Sequence, residues 1–236
     1  LAVACAAHNC LLAFCVLKPD EEKNIEIPVM ISDHRVDGLI VMGEISRAYL
    51  RKLEKEAGMP MIFLDFYAAE FDVDCVISNN FYGMYTATRH LVKKGHKKIA
   101  YVGSVKSNSS IADRYFGYLK AVRQYGLEER ADWIVEDRVP GTMEIIEPKL
   151  PKDMPTAFVC NCDQTASMLI HELESNGYRV PEDVSVVGYD NFLFMPVCDI
   201  ASVWLASAAE LWQRLRQSAL SRELKDSIRD QAVLAS

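Results

Sequence analysis

The stretch at residues 179–191, Arg-Val-Pro-Glu-Asp-Val-Ser-Val-Val-Gly-Tyr-Asp-Asn, constrains the fold more than any other part of the chain. Pro181 and the acidic pair after it are typical of a turn. Residues 184–187 form a short apolar, β-branched run, which predicts a strand buried on both faces. Gly188 is expected to end this strand, so that Asp190 follows at its carboxyl end. Because open parallel sheets bind ligands at that end, the stretch predicts an α/β fold with a binding crevice that Asp190 faces.

The size of the chain allows one large domain or two small lobes. It has 236 residues, of which half are hydrophobic and a quarter are charged, as in an ordinary globular protein. The formal net charge of -7 argues against nucleic-acid binding by the chain as a whole. No apolar run has the length of a membrane span, and the first residues lack the basic segment and cleavage site of a signal peptide.

The cysteines predict buried free thiols in a reducing compartment rather than a disulfide framework, because their number is odd and several lie in apolar runs. They are Cys5, Cys10, Cys15, Cys75, Cys160, Cys162 and Cys198.

Short apolar runs alternate with helical patterns along most of the chain. Further strands are predicted at residues 39–42, 61–64, 99–102, 133–135 and 157–160. Helices are predicted at 46–57, from Asn79 or Asn80 to Gly95, around 112–122, around 166–173 and at 210–224, with a last strand at 228–234. This alternation is typical of a doubly wound α/β fold, here in two lobes.

The first forty residues fit the alternation less well. Apolar runs at residues 1–7 and 11–17 predict two strands, and residues 21–31 predict part of a helix. Only residues 8–10 separate the two strands, whereas a parallel crossover needs about a dozen residues. Either the strands form an antiparallel hairpin, or a helix between them is missing from the chain. The alternation elsewhere favours the missing helix.

Polar side chains follow several of the predicted strands and are the candidate ligand contacts. They are Gly43-Glu44, Asp65, Ser104, Asp163 and Asp190. The carboxyl ends of the strands converge in this architecture, and a carboxylate there can accept hydrogen bonds from ligand hydroxyls. Arg114, which is expected to start a helix, could donate hydrogen bonds at the same place. The set suits a small ligand rich in hydroxyl groups, although each residue alone could be a turn or helix-capping residue.

Enzyme motifs are missing from the sequence. There is no glycine-rich dinucleotide motif after the first strand, no P-loop and no Gly-x-Ser-x-Gly elbow. The histidines form no helical metal-binding pair, and no cofactor is indicated. Cys160 and Cys162 would point to the same face of a strand, so a metal there stays possible, although buried thiols are favoured. An α/β enzyme that uses Asp65 or Asp190 as a base is a third-ranked hypothesis.

The sequence resembles the lactose/galactose repressor (LacI/GalR) family over roughly residues 36–200. Residues 179–191 are similar to the family's "VPxDxSVxGYDN" signature. Three further stretches resemble the same family, namely Val-Asp-Gly-Leu-Ile-Val at 36–41, His-Leu-Val-Lys-Lys-Gly-His-Lys-Lys-Ile-Ala at 90–100 and Arg-Tyr-Phe-Gly-Tyr at 114–118. Residues 158–166 resemble the family's "Asn-Asp-x-x-Ala" segment in part.

The resemblance implies a sensor rather than a catalyst. It implies two Rossmann-like lobes joined by a hinge, as in type I periplasmic binding proteins. The first lobe would contain residues 1–78 and about 200–225, and the second 79–199 and about 226–236. A sugar or sugar phosphate would bind between the lobes and control, allosterically, how a homodimer binds operator DNA. The DNA-binding helix-turn-helix headpiece is absent from this chain, and the protein would be cytoplasmic, without a membrane partner.

Matched motif by motif, the resemblance also implies the effector contacts. They are Asp65, Arg114 and Asp190, with Ser107, Ser109 and Asp163 in addition. Cys162 stands where the family usually has an asparagine before the aspartate, and Asn161 would point to the other side of the strand. Arg138 lies near a slot where the family often has an aromatic residue, and it could bind a phosphate or carboxylate of the effector. The alternative function is a periplasmic or lipid-anchored sugar-binding protein of a transporter.

Overall fold

The computed structural model describes residues 2–139, 144–190 and 201–203. Of these, residues 2–77 belong to one compact unit, the first unit, and the rest belong to the second unit. Within the described part of the chain, no helix is long and apolar enough to cross a membrane. The helix predicted at 210–224, the strand predicted at 228–234 and the lobe segments predicted after residue 203 lie outside the described residues.

The first unit is built on a parallel sheet. Its strands are β1 (Leu39–Met42), β2 (Met61–Leu64) and β3 (Asp74–Val76), in that spatial order. Between β1 and β2 runs helix α4 (Arg47–Ala57), which begins where Oγ of Ser46 accepts a hydrogen bond from the amide of Tyr49 at 3.3 Å. It ends at Gly58, whose φ of +57° is a conformation that favours glycine. The boundaries predicted for β1, β2 and α4 are confirmed, apart from Ser46, which caps the helix.

The amino-terminal prediction is wrong. Residues 1–7 were expected to form a strand, but α1 (Ala2–Ala7) is a helix, in keeping with its alanine content. Residues 11–17 form no strand, so the hairpin interpretation fails, and Leu11 and Phe14 are 98% and 78% exposed. A strand needs a hydrogen-bonded neighbour, and among the described residues this segment has none. The part of a helix predicted within residues 21–31 is present as two short helices. They are α2 (Pro19–Lys23) and α3 (Val29–Ser32).

The second unit contains a five-stranded parallel sheet among its described residues. Its strands are β4 (Ile99–Val102), β5 (Ile134–Val135), β6 (Ala157–Cys160), β7 (Ser185–Tyr189) and β8 (Ala201–Val203). Their spatial order is β5-β4-β6-β7-β8. A short 3₁₀ helix, Ala131–Trp133, precedes β5.

The strand predicted at residues 184–187 was expected to stop before Gly188, and this is wrong. The strand β7 continues through Gly188 and Tyr189 because these residues pair with Ser202 and Val203 of β8. The strand β8 itself was not predicted. Asp190 nevertheless follows the carboxyl end of β7, as expected.

Helices cover both faces of this sheet. They are α5 (Asn80–Lys93), α6 (Ser109–Gln124) and α7 (Asp163–Ser175). Along β4 and β6, successive side chains point to opposite faces of the sheet, and both faces are covered by helices. Tyr101 and Val159 pack with α5 and α6, whereas Val102 and Phe158 pack with α7. The two buried faces confirm the predicted doubly wound α/β fold.

Helices α5 and α6 approach each other closely at Gly117. A Cβ atom built there would lie 2.1 Å from the carbonyl oxygen of Phe81. No side chain fits at that distance, so glycine permits this packing. The helix capping prediction is confirmed for α5, because Oδ1 of Asn79 accepts a hydrogen bond from the amide of Tyr82 at 3.1 Å.

The thiol prediction is confirmed in part. All described cysteines are free. Cys160 is fully buried, and this burial raises the pKa of its thiol well above the ordinary value. Cys10 and Cys15, however, are exposed, because the strand in which Cys15 was expected to be buried does not form.

Candidate functional site

Arg114 is a buried cation at the carboxyl end of the second unit's sheet. It lies in the second turn of α6 rather than at its start, which corrects the sequence prediction. Its Nε donates to Oδ1 of Asn80 at 2.7 Å, and its Nη1 donates to the carbonyl oxygen of Asn161 at 2.6 Å. Its guanidinium carbon is 4.0 Å from the centre of the Tyr189 ring. These contacts fix the orientation of the guanidinium group.

Asp190 forms an ion pair with Arg114 at the end of β7. Its Oδ1 lies 3.3 Å from Nη2 of Arg114, and its side chain is 39% exposed, whereas that of Arg114 is 8% exposed. Its φ is +95°, in the region where residues other than glycine are strained. The structure therefore brings together these two predicted ligand residues, with the carboxylate at the surface and the guanidinium behind it.

Asp65 occupies the corresponding place in the first unit. It follows the carboxyl end of β2, is exposed, and has a φ of +65°. Its amide donates a hydrogen bond to the carbonyl oxygen of Val76 at 2.8 Å. Within its own unit it is thus a polar residue at a strand end, as predicted.

The two predicted serines lie between β4 and the start of α6, Ser107 in the loop and Ser109 as the first residue of the helix. Ser107 and Ser109 are partly exposed, and the amide of Ser107 donates to the carbonyl oxygen of Ser104 at 2.9 Å. Ser104, in contrast, is only 2% exposed. Its Oγ accepts hydrogen bonds from the amides of Asp137 and Arg138 at 3.0 and 2.9 Å. Ser104 therefore ties β4 to β5 instead of lying at the surface.

Asp137, which was not predicted as a site residue, is the centre of a buried polar network. The Asp137 network comprises Ser104, Asp137, Arg138, Asn161 and Thr165. Oδ1 of Asp137 accepts from the amide of Ser104 at 2.8 Å. Its Oδ2 accepts from Nη1 of Arg138, from Nδ2 of Asn161 at 2.5 Å and from Oγ1 of Thr165 at 2.7 Å. This carboxylate joins the ends of three strands.

The charge of Asp137 is stabilised by its neighbours. Burial alone would raise the pKa of this carboxyl group. The hydrogen bond from Thr165, the positive charge of Arg138 and further hydrogen bonds outweigh that effect, so its pKa lies below the ordinary value. The signal that could have revealed Asp137 is its position two residues after the short predicted strand, the same rule that identified the other carboxylates.

Arg138 is buried within the Asp137 network. It is 6% exposed and forms its ion pair with Asp137. Asn161, which was expected to point to the other side of its strand, lies beyond the strand end and bonds to Asp137. Asp163 is 5% exposed at the start of α7. Cys162 is half-buried, and its Sγ is 3.2 Å from Oγ1 of Thr165.

The structure shows no metal site in the part of the chain that it describes. No group of three or more histidine, cysteine, aspartate or glutamate side chains is arranged to hold a metal ion there. Cys162 lies past the end of β6, so the same-face arrangement considered for Cys160 and Cys162 does not apply.

Comparisons with known proteins agree with this architecture. A family model described as "Periplasmic binding proteins and sugar binding domain of LacI family" matches residues 4–219. The HTH-type transcriptional repressor PurR of Aliivibrio salmonicida is 33% identical over 191 residues, which is 79% of this chain and 57% of that protein. PurR of Pectobacterium atrosepticum is 33% identical over 227 residues, which is 92% of this chain and 64% of that protein. The chain thus spans less than two thirds of the length of these relatives, which are regulators rather than enzymes.

Solved structures show the same fold. A LacI family transcriptional regulator from Mycobacterium smegmatis superposes with a TM-score of 0.63 at 23% identity, covering 80% of this chain and 70% of that one. The cellobiose complex of the transcriptional regulator CelR superposes with a TM-score of 0.66 at 22% identity, covering 80% and 59%. The type I periplasmic-binding-protein-like fold that the sequence predicted is thereby confirmed. The chain belongs to the family of periplasmic binding proteins and sugar-binding domains of LacI-type regulators.

Proposed function

We propose that the chain is the effector-sensing part of a LacI-type transcriptional regulator and that its effector binds against Arg114 and Asp190. The observation that carries the proposal is the pairing of a buried, immobilised guanidinium group with a partly exposed carboxylate at the carboxyl end of a parallel sheet. Preorganised charged groups of this kind can bind ligand hydroxyl groups with little loss of conformational entropy.

The other predicted contacts complete the proposal. Asp65 in the first unit and the partly exposed Ser107, Ser109 and Cys162 in the second would supply further polar contacts to the effector. The family match and the repressor relatives support a regulatory rather than a transport function, so the sugar-binding protein of a transporter is not favoured. In CelR the bound ligand is cellobiose, which supports a small sugar-like effector here.

In the whole protein, we extend the proposal to operator binding through a helix-turn-helix headpiece, as the words "HTH-type transcriptional repressor" in the names of the PurR relatives suggest. We also extend it to homodimerisation, which the resemblance to the LacI/GalR family implies. Effector binding would then change the affinity for DNA by linkage between the two sites. A gel-shift titration of the full-length protein with and without effector tests this, and an operator affinity that is independent of the effector contradicts it.

The variant Asp190→Asn tests the site. It removes the charge but keeps the shape, and asparagine tolerates a positive φ. Loss of a charged hydrogen bond to the ligand should weaken binding by about tenfold to a hundredfold in calorimetry. The probes are D-ribose, D-glucose, cellobiose, uracil and hypoxanthine, screened first by the rise in melting temperature.

Asp183→Asn is the matched control. Asp183 also pairs with an arginine, Arg179 at 2.7 Å, and its side chain is 35% exposed, close to the 39% of Asp190. The Asp183→Asn variant should bind the effector with the affinity of the wild type. If Asp190→Asn and Arg114→Ala both bind with wild-type affinity, or if no probe raises the melting temperature, the proposed function is refuted.

A further inference from the structure

The Asp137 network contains a hydrogen-bond donor and an acceptor without partners. Nε of Arg138 and Oδ1 of Asn161 are buried, and neither has a hydrogen-bond partner among the described residues. The two residues are 6% and 1% exposed. A buried polar group without a hydrogen bond bears the full cost of its desolvation. Two such groups in one network indicate that a further polar group completes it.

The two atoms belong to groups that meet at one oxygen. Oδ2 of Asp137 accepts from Nη1 of Arg138 and from Nδ2 of Asn161. Within each side chain, the unpartnered atom is bonded to the same carbon as the atom that touches Asp137. Nε and Oδ1 are therefore each only two bonds from an atom that touches Oδ2 of Asp137, beyond the carboxyl ends of β5 and β6. We call these two atoms together the Arg138–Asn161 subsite.

We propose that the Arg138–Asn161 subsite binds a neutral part of the effector that carries a hydrogen-bond acceptor beside a donor. The acceptor would receive the hydrogen bond from Nε of Arg138, and the donor would bond to Oδ1 of Asn161. A sugar hydroxyl or a cyclic amide supplies both functions. This inference rests on the proposed function, because it assigns further contacts to the same effector.

The charges around the subsite favour a neutral ligand. The cation of Arg138 is already matched by Asp137, which the network keeps ionised. Within four residues after the ends of β4, β5, β6 and β7, and with Arg114 added, the described charged residues carry three positive and four negative charges. They are the cations Lys106, Arg114 and Arg138 and the anions Glu136, Asp137, Asp163 and Asp190. A phosphate would add negative charge to a region whose sum is already negative. The inference thus gives Arg138 a different role from the phosphate receptor predicted from the sequence.

The substitution Arg138→Lys tests the subsite. Lysine keeps the positive charge opposite Asp137 but has no Nε donor at that place. Affinity for the neutral probe that binds the wild type should fall about tenfold, the effect of one lost hydrogen bond to a ligand. Calorimetry measures the affinity, and the phosphorylated forms of ribose and glucose should bind more weakly than the free sugars.

Two controls separate ligand binding from stability. Thr88→Val removes the buried hydrogen bond from Oγ1 of Thr88 to the carbonyl oxygen of Met84 within α5, outside the Asp137 network. It should lower the melting temperature but leave the affinity within about twofold of the wild type. Arg123→Lys makes the same exchange in an exposed ion pair with Glu129 and should leave affinity unchanged.

Each outcome decides between the hypotheses. If Arg138→Lys binds the neutral probe as tightly as the wild type while Asp190→Asn does not, the subsite holds only an ordered water and the inference is wrong, although the proposed function stands. If a sugar phosphate binds more tightly than its free sugar, the neutral-ligand inference is overturned. If no probe binds, the proposed function fails and the inference fails with it.

Discussion

Replacing Asp137 with asparagine should strongly destabilise the second unit. The carboxylate is fully buried, and its Oδ2 accepts hydrogen bonds from Arg138, Asn161 and Thr165. In the variant, the side-chain nitrogen of the asparagine must face either these three donors or the backbone amide of Ser104, so that one of the two loses its acceptor. In addition, the guanidinium of Arg138 stays buried without a counter-charge. Breaking a buried ion pair from one side costs roughly 3–5 kcal/mol. At roughly 2–4 °C per kcal/mol for a chain of this size, the melting temperature should fall by about 6–20 °C.

Urea unfolding followed by circular dichroism measures this loss. Asp183→Asn is again the control, because its ion pair is exposed and solvent screens it, so that its loss should change the stability little. Adding Arg138→Met to the Asp137→Asn variant should restore part of the stability by removing the unpaired charge. A single Asp137→Asn variant within about 1 kcal/mol of the wild type would refute the reasoning.

The destabilisation caused by Asp137→Asn should also depend on pH. The pKa of Asp137 in the folded protein lies below its ordinary value, which is about 3.9 in an unfolded chain. Its contribution to stability should therefore be fully present above about pH 4 and be lost as the pH falls through the lower folded value. The difference in unfolding free energy between wild type and Asp137→Asn should shrink in that acid range. A difference that stays constant to about pH 2 would contradict this.

Two other predictions concern stability alone. Gly117→Ala should lower the free energy of unfolding by about 1–3 kcal/mol, because its Cβ would overlap the carbonyl oxygen of Phe81. Lys120→Ala, at an exposed position of the same helix, should not destabilise the protein. Urea unfolding distinguishes the two variants. Burial lowers the pKa of His96, so stability should fall as the pH drops below about 6.5, and His96→Gln should flatten this dependence of the melting temperature. A histidine that titrates above its ordinary value in NMR would contradict the second prediction.

Local sequence was sufficient for four of the strands. The strands β1, β2, β4 and β6 have the predicted boundaries, because a continuous apolar run between turn residues leaves few alternatives. Helix α4 was likewise predictable from Ser46 and Gly58, whose capping functions are local.

Elements that depend on distant partners were not predictable in this way. Residues 11–17 have the composition of a strand but form none, since a strand also needs a neighbour. Gly188 was predicted to end its strand, but it pairs with Ser202 of β8, a strand that the sequence did not reveal. The same limit applies to the site. Arg114 and Asp190 were predicted from their positions, but the Asp137 network joins loops that are more than twenty residues apart in the chain, such as those of Asp137 and Asn161.

Because Asp65 and Asp190 have positive φ angles, these two residues lower stability at the positions where they are proposed to bind the ligand. Each aspartate is in a conformation that glycine adopts without strain, and relieving such strain is worth about 1 kcal/mol. Selection for thermostability alone should therefore enrich glycine at both positions. Selection for a functional sensor should keep the carboxylates in spite of their conformational cost. A library sorted first for stability and then for effector binding would display this conflict as opposite preferences at the same two residues.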